Sequence, residues 1–199
     1  MLSGLRRLRW SIAGRMRLKQ AISLAASRGP LKVVLGASIT NFDGWISTDL
    51  PHFNVLKTSH WKYLFGNHKA DNMLSEHVFE HLRADDVRMA LMHCHSYLKQ
   101  GGCIRIAVPD AGHKDPEYLR LIMPPADDHL SSWTVDQLRA MLENIGFRIT
   151  PLEFYSSEKH LVQVPFSDEN GPIRRSIQKG IRDPRVEGYS SLIIDAYKI

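Results

Sequence analysis

The stretch Lys32-Val-Val-Leu-Gly-Ala-Ser-Ile-Thr-Asn-Phe-Asp-Gly-Trp-Ile-Ser-Thr-Asp-Leu50 decides how the chain is read. It runs apolar strand, glycine turn, short connection, second apolar strand, and then a carboxylate at the strand end. Nucleotide-binding α/β folds use such a unit to hold a nucleoside: the first turn brings backbone close to the ligand, and the acid after the second strand accepts from ribose hydroxyls. Gly36 is the close-approach residue and Asp49 the ribose acceptor. The pattern is not the dinucleotide fingerprint. Ala37 and Ser38 follow Gly36 in place of further glycines, and Asp49 comes sooner than the ~20 residues that fingerprint requires.

Working outward, strand and helix patterns alternate. Ala70–Ser75 reads as a buried strand. Asp85–Lys99 is helical, with Val87, Leu91, Cys94 and Leu98 on one face, and Gly101-Gly102 is expected to end it. Cys103–Val108 is a strand stopped by Pro109. Thr134 caps a helix over Val135–Ile145 that Gly146 closes. Phe147–Tyr155 and Ser191–Tyr197 are the last strands, and Val55–Lys57 is a candidate for one more. The expected fold is α/β: a Rossmann-like three-layer sandwich with about seven mostly parallel strands, the last antiparallel, covered on both faces. The polar segment Ser156–Ser190, rich in Pro, Gly and charge, is long for a connection and so is expected to be functional or mobile.

Composition places and excludes. The 199 residues, 43% hydrophobic and 24% charged, suit one domain with one sizeable core. Cys94 and Cys103 show neither metal spacing nor a disulfide pattern, which favours a reducing, cytoplasmic setting. No apolar run nears the ~18 residues that span a bilayer. The net charge of +5 is local: residues 1–32 hold eight of the 26 basic residues and no acid, leaving 18 basic against 21 acidic in the remainder. Residues 1–31 therefore form a basic amphipathic arm, with Leu2, Leu5, Leu8, Ile12, Met16 and Leu18 interleaved among arginines. Three readings of it stand: a helix packed on the body at 32–199, a peripheral contact with an anionic membrane or polyanion, and an organelle transit peptide.

Four segments resemble one known family: Val34-Leu-Gly-Ala-Ser with Asp43–Asp49; Ala70–Leu82, containing Glu76-His-Val-Phe-Glu-His81; Tyr97–Asp110, containing Leu98-Lys-Gln-Gly-Gly102; and Asp128-His129, Trp133-Thr134 and Asn144–Phe147. Over about residues 32–155 and the last strand the chain resembles the class I S-adenosylmethionine-dependent methyltransferases, in particular the small bacterial branch with the type 11 domain. The chain departs from that family's Gly-x-Gly turn, with Ser38 at the second glycine. The resemblance implies S-adenosylmethionine as cofactor and methyl transfer to a small-molecule, sugar or lipid-linked acceptor. It implies cofactor contacts from Gly36, Ala37, Ser38, Asp49, Leu50, Ser59, His60, Ser75 and Glu76. The alternative is a catalytically silent domain of this fold acting as a binding partner.

His77 is the candidate general base, since an imidazole takes a proton near neutral pH. Asp110 and His129, at strand ends or beyond, are the candidate substrate contacts. Asp127-Asp128-His129 looks like a metal triplet, but adjacent residues point in different directions, so no metal is expected. Nucleic acid is not expected either, because neither an Asn-Pro-Pro-Tyr-like motif nor an aromatic-interleaved basic patch is present. The Ser156–Ser190 insertion reads as a hinged, basic lid over the substrate, or else as a solvated loop or homodimer contact.

Overall fold

The helix Val135–Ile145 (α5) shows how closely local signals set this fold. Thr134 and Gln137 form a reciprocal capping box, the Thr134 hydroxyl taking the Gln137 N–H while the Gln137 side chain takes the Thr134 N–H. Such a cap contributes about 1 kcal/mol. Val135, Leu138 and Leu142 are buried on one face, and Gly146, at φ 107°, turns the chain into the next strand. The computed structural model describes residues 2–180 and 191–199, with side chains from Ile12 onward.

The chain runs α1 (Leu2–Arg28), β1 (Lys32–Leu35), β2 (Ile46–Thr48), α2 (Thr58–Phe65), β3 (Ala70–Glu76), α3 (Ala84–Tyr97), β4 (Leu98–Pro109), α4 (Pro116–Ile122), α5, β5 (Phe147–Tyr155), β6 (Leu161–Gln163) and β7 (Ser191–Lys198). The sheet has seven strands in the order β2-β1-β3-β4-β7-β5-β6. Pairings β1/β2, β1/β3 and β3/β4 are parallel, while β7 pairs antiparallel with β4 and β5, and β6 antiparallel with β5. Strands β1 to β5 thus share one direction and β6 and β7 oppose it. The carboxyl ends of β1 to β5 gather on one edge, where α/β folds bind ligands. The expected class and the antiparallel last strand both hold.

The two faces of the sheet are covered differently. Ile22 of α1, Trp61, Leu64 and Phe65 of α2, Val87 and Leu91 of α3, and Leu138 and Leu142 of α5 share one buried core with Val33, Met73, Ile104, Ile106 and Ile194. Trp61 anchors it, stacked on Phe65 and Tyr97 with ring centroids 5.2 Å away in each case. On the opposite face Val34, Leu74, Ala107 and Ile193 pack beneath Ala37, Trp45 and Ile173, none of which lies on a helix. Alternate residues of β4 and β7 divide between the faces, as strand geometry requires.

Two local expectations are corrected. Val55–Lys57 is not a strand: Asn54 Oδ1 takes the Leu56 N–H and the Trp61 indole donates to Val55 O, so the segment turns into α2. Gly101-Gly102 does not end α3, which stops at Tyr97; the pair lies within β4. A Cβ at Gly102 would stand 3.0 Å from Asp71 O and 3.2 Å from Ala70 O, so the missing side chain admits the β3 backbone at a register shift. The arm is helical. Ile22 is fully buried, Leu18, Ala25 and Ala26 pack on the same core, and Ile12, Met16 and Leu24 are exposed. The side chains of Leu2, Leu5 and Leu8 lie outside the described ones. Among the described residues no helix is long and apolar enough to cross a membrane.

Candidate active site

The turn after β1 and the tip of β2 are locked together. Gly36 has φ 64°, and a Cβ there would stand 2.5 Å from Val78 Cγ2, so only glycine fits. Ser38 also adopts a left-handed conformation, φ 48°, keeping with a serine the backbone shape that a glycine adopts freely. Its N–H donates to Asp49 Oδ2 at 2.6 Å, while the Leu50 N–H donates to Asp49 Oδ1 at 2.6 Å. Each carboxylate oxygen retains a second lone pair. Leu50 is 66% exposed beside this acid, and Ile39 is 91% exposed. Ala37 points away, buried in the core of the opposite face.

Ser59 and His60 lie in the first turn of α2. Ser59 is exposed. His60 is buried, its Nδ1 accepting from the Asn54 N–H and its Nε2 3.2 Å from an Arg15 nitrogen. Burial, then the Arg15 and Lys57 charges, lower its pKa. His60 thus joins α2 to α1, because a helix that buries Trp61, Leu64 and Phe65 carries His60 inward with them.

Ser75, Glu76 and His77 close β3. Ser75 is buried, and its hydroxyl meets no partner among the described residues. Glu76 Oε1 accepts from the Arg174 and Arg175 N–H groups at 2.8 and 2.7 Å. His77, at φ 55°, is held at both ring nitrogens: Nδ1 stands 3.0 Å from Glu80 Oε1, and Nε2 stands 2.9 Å from Ser191 Oγ, the first residue of β7. Strained backbone of this kind concentrates at functional sites.

Asp110 closes β4 with both carboxylate oxygens engaged by backbone. It is fully buried, with Oδ1 accepting from the Gly112 N–H at 2.7 Å and Oδ2 from the Tyr155 N–H at 2.6 Å, so it ties the end of β4 to the end of β5. Burial pushes its pKa up to about 6 against the opposing pull of those hydrogen bonds. His129 is buried on the same edge as His77, with Glu80 between them. Its Nδ1 donates to Ile122 O at 2.6 Å, and its ring meets that of His81 edge-on at 5.0 Å. The neighbouring Asp127 and Asp128 are exposed and left-handed, φ 52° and 59°, so the three residues of the apparent triplet do diverge. Potential metal ligands nonetheless gather across two loops: donor atoms of Glu80, His81 and His129 lie within 4.8 Å of one another.

The described part of the insertion is anchored to the sheet through buried Gly171, Ile173 and Ser176, while most of its other residues are exposed. Arg105, fully buried on β4, makes a bidentate pair with Asp195 at 2.7 and 2.8 Å and donates to Ser167 O and Gly171 O. Its guanidinium lies 4.7 Å from the Phe166 ring. Glu153, also buried, accepts from the Ser176 hydroxyl and from the Ile177 and Gln178 N–H groups. Lys179 pairs with Asp168 within the segment, and Arg174 reaches Thr40 Oγ1 at 3.1 Å. Arg182, Pro184, Arg185 and Gly188, which fall within the expected lid, lie outside the described residues.

Residues 10–152 match a protein family described as a methyltransferase domain. No curated protein matches the chain in sequence. Among solved structures, a SAM-dependent methyltransferase from Archaeoglobus fulgidus is 17% identical with a TM-score of 0.51, the match covering 92% of this chain and 94% of that one. An O-methyltransferase family protein from Burkholderia thailandensis is 9% identical with a TM-score of 0.51, the match covering 95% of this chain and 58% of that one. At such identities the likeness is one of fold.

Proposed function

The chain belongs to the methyltransferase-domain family, and on that footing we propose that it moves a methyl group from S-adenosylmethionine to an anionic small-molecule, sugar or lipid-linked acceptor. The observation that carries this reading is the Asp49 carboxylate. It is fixed by two backbone N–H groups at the tip of β2, keeps spare lone pairs, and has the exposed Leu50 beside it. This set fits an adenosine: the acid takes the ribose diol in charge-assisted bonds and Leu50 lies against the base. The orphaned Ser75 hydroxyl adds a polar group near the end of β3, opposite Leu35 at the end of β1.

Bound S-adenosylmethionine supplies a methyl group already activated on a sulfonium, so the protein has to position the acceptor, keep water out and take a proton. His77 is the proposed proton acceptor. Glu80 orients the ring through Nδ1, and Nε2 is the nitrogen that takes the proton, from an acceptor group placed where the Ser191 hydroxyl now reaches. Arg174 and Arg175 are exposed above Glu76 and Thr40 and are the proposed contacts for a phosphate or carboxylate on the acceptor. For the arm we propose a peripheral contact with an anionic membrane surface, through exposed Ile12, Met16 and Leu24 beside Arg17 and Lys19.

A thermal-shift comparison of S-adenosylmethionine, its demethylated product and NAD tests the reading. Stabilisation by the two sulfur ligands and none by NAD is expected. No shift with either sulfur ligand at millimolar concentration would reject it.

A further inference from the structure

We propose that Glu80, His81 and His129 form a binding site for a divalent transition-metal ion. Two loops build it. Glu80 and His81 sit on the 3-10 turn Phe79–His81 just after β3, and His129 follows the short turn Ala126–Asp128. The loops are clamped together, because the Leu130 and Ser131 N–H groups both donate to Glu80 O, at 2.7 and 3.1 Å. The donor atoms of the three side chains lie within 4.8 Å of one another. Ligands on an ion about 2.0–2.2 Å away stand about 3–4 Å apart, so small side-chain rotations complete the set.

The chemistry of each donor points the same way. Glu80 is 1% exposed; Oε1 faces His77 Nδ1, and Oε2 meets no hydrogen-bond donor among the described residues. A buried carboxylate oxygen without a donor calls for a cation. His129 Nδ1 bonds a carbonyl oxygen, so that nitrogen carries the hydrogen and Nε2 presents its lone pair. A backbone carbonyl behind a ring N–H is how metal-ligating histidines are commonly oriented. His81, whose Nδ1 stands 3.4 Å from Asp128 O, is exposed and gives the ion its way in. Two imidazoles and one carboxylate suit zinc, cobalt and manganese, and three protein donors leave a position open for an outside ligand. The His77 ring, against the other Glu80 oxygen, would orient this carboxylate from behind. The site stands apart from the methyl-transfer reading, since metal binding is measured without cofactor or acceptor.

The test is titration of the full chain, stripped with a chelator, with Co2+. Cobalt suits the purpose because its affinity for nitrogen and oxygen donors exceeds that of manganese and its d–d bands are visible. One equivalent should bind with the spectrum of a nitrogen- and oxygen-ligated ion, and Zn2+ should displace it. Glu80→Gln, His81→Ala and His129→Ala should each weaken binding about 100-fold or more, while His160→Ala, at an exposed histidine elsewhere, should leave it unchanged. His81 is exposed, so its loss leaves the core intact; should His129→Ala fail to fold, His81→Ala and Glu80→Gln decide. No stoichiometric binding at millimolar Co2+ or Zn2+ overturns the proposal, as does unaltered binding in those two variants.

Discussion

The Ser38 N–H donates to Asp49 Oδ2 at 2.6 Å, so the turn that ends β1 is fastened to the acid that ends β2. One carboxylate thereby sets the turn and, in the proposed site, the ribose. Asp49→Ala should abolish the thermal shift with S-adenosylmethionine. In the native chain a hundredfold excess over Kd should stabilise by about 2.7 kcal/mol, a rise of roughly 5–10 °C for a domain of this size. Ser38→Gly should bind as the native chain does, since glycine adopts φ 48° without strain. Ser38→Pro, which removes the donor and fixes a negative φ, should bind no cofactor. Tight binding by Asp49→Ala would place the nucleoside elsewhere.

Asp110 should make stability depend on pH. Its folded pKa, about 6, lies above the ordinary value of 3.8. The folded state therefore holds the proton more tightly, and the associated stability is fully present below about pH 4 and lost as pH rises through 6. Two pH units correspond to about 3 kcal/mol at most. Denaturant unfolding of the native chain and of Asp110→Asn, compared from pH 4 to 7.5, should show the native chain losing ground to the variant as pH rises. A constant difference would show that Asp110 does not titrate in this window.

Arg105 and Asp195 lie 90 residues apart and meet under the insertion. Breaking one member of a buried pair leaves the other charged and unpaired, at a cost of about 3–5 kcal/mol. Arg105→Ala should be destabilised by that amount in urea, and should also expose the Ser167–Gly171 segment to limited proteolysis, because its carbonyls lose their donor. Arg105→Met with Asp195→Leu should recover most of the stability yet leave the segment cleavable. An Arg105→Ala chain as stable and as resistant as the native one would show that the insertion is held by Ile173 and Glu153 alone.

That pair marks the boundary of what the sequence discloses. The ends of α5 were legible because Thr134, Gln137 and Gly146 state them locally, and β4 because Cys103–Val108 is apolar and stopped by Pro109. The helix α4 had a signal that went unread: Asp115 before Pro116, with Asp115 Oδ1 taking the Glu117 N–H at 2.8 Å. The anchored insertion had none, because its polar, glycine-rich segment is fastened to the sheet only when Arg105 and Glu153, distant in sequence, supply its hydrogen bonds. Of the candidate site, Gly36, Asp49 and His77 stood at strand ends where the fold puts ligands. Asp110 stood there too, and His60 was placed by the resemblance, but their partners, the Tyr155 N–H and Arg15, are tertiary. The approach of His129 to Glu80 and His81 is likewise a meeting of two loops about 50 residues apart.

His77 should matter to turnover and not to cofactor binding. General-base catalysis contributes about 10²–10⁴-fold. On an acceptor found by screening, His77→Ala should lower kcat by that range while the thermal shift with S-adenosylmethionine persists. Ser191→Ala, which frees Nε2 from its present partner, should retain turnover. An unchanged kcat in His77→Ala would leave catalysis to positioning alone.

The arm should separate into a structural face and a contact face. Ile22 is fully buried with Leu18, Ala25 and Ala26 around it, so Ile22→Ala should cost about 2–5 kcal/mol. Met16 and Leu24 are half exposed on the same helix, and replacing both by Ala should change stability by about 0.5 kcal/mol or less each. If this outer face meets anionic lipid, the native chain should sediment with vesicles containing phosphatidylserine and not with neutral ones. The bound fraction should fall as salt rises, since exposed charges are screened beyond about 10 Å at 0.1 M. Met16→Ala with Leu24→Ala should weaken that binding without unfolding the protein, and Arg17→Glu with Lys19→Glu should abolish it. Vesicle binding that survives the charge reversal, or that is absent at low salt, would leave α1 as a structural helix alone, its role exhausted by the burial of Ile22 against the helical face of the sheet.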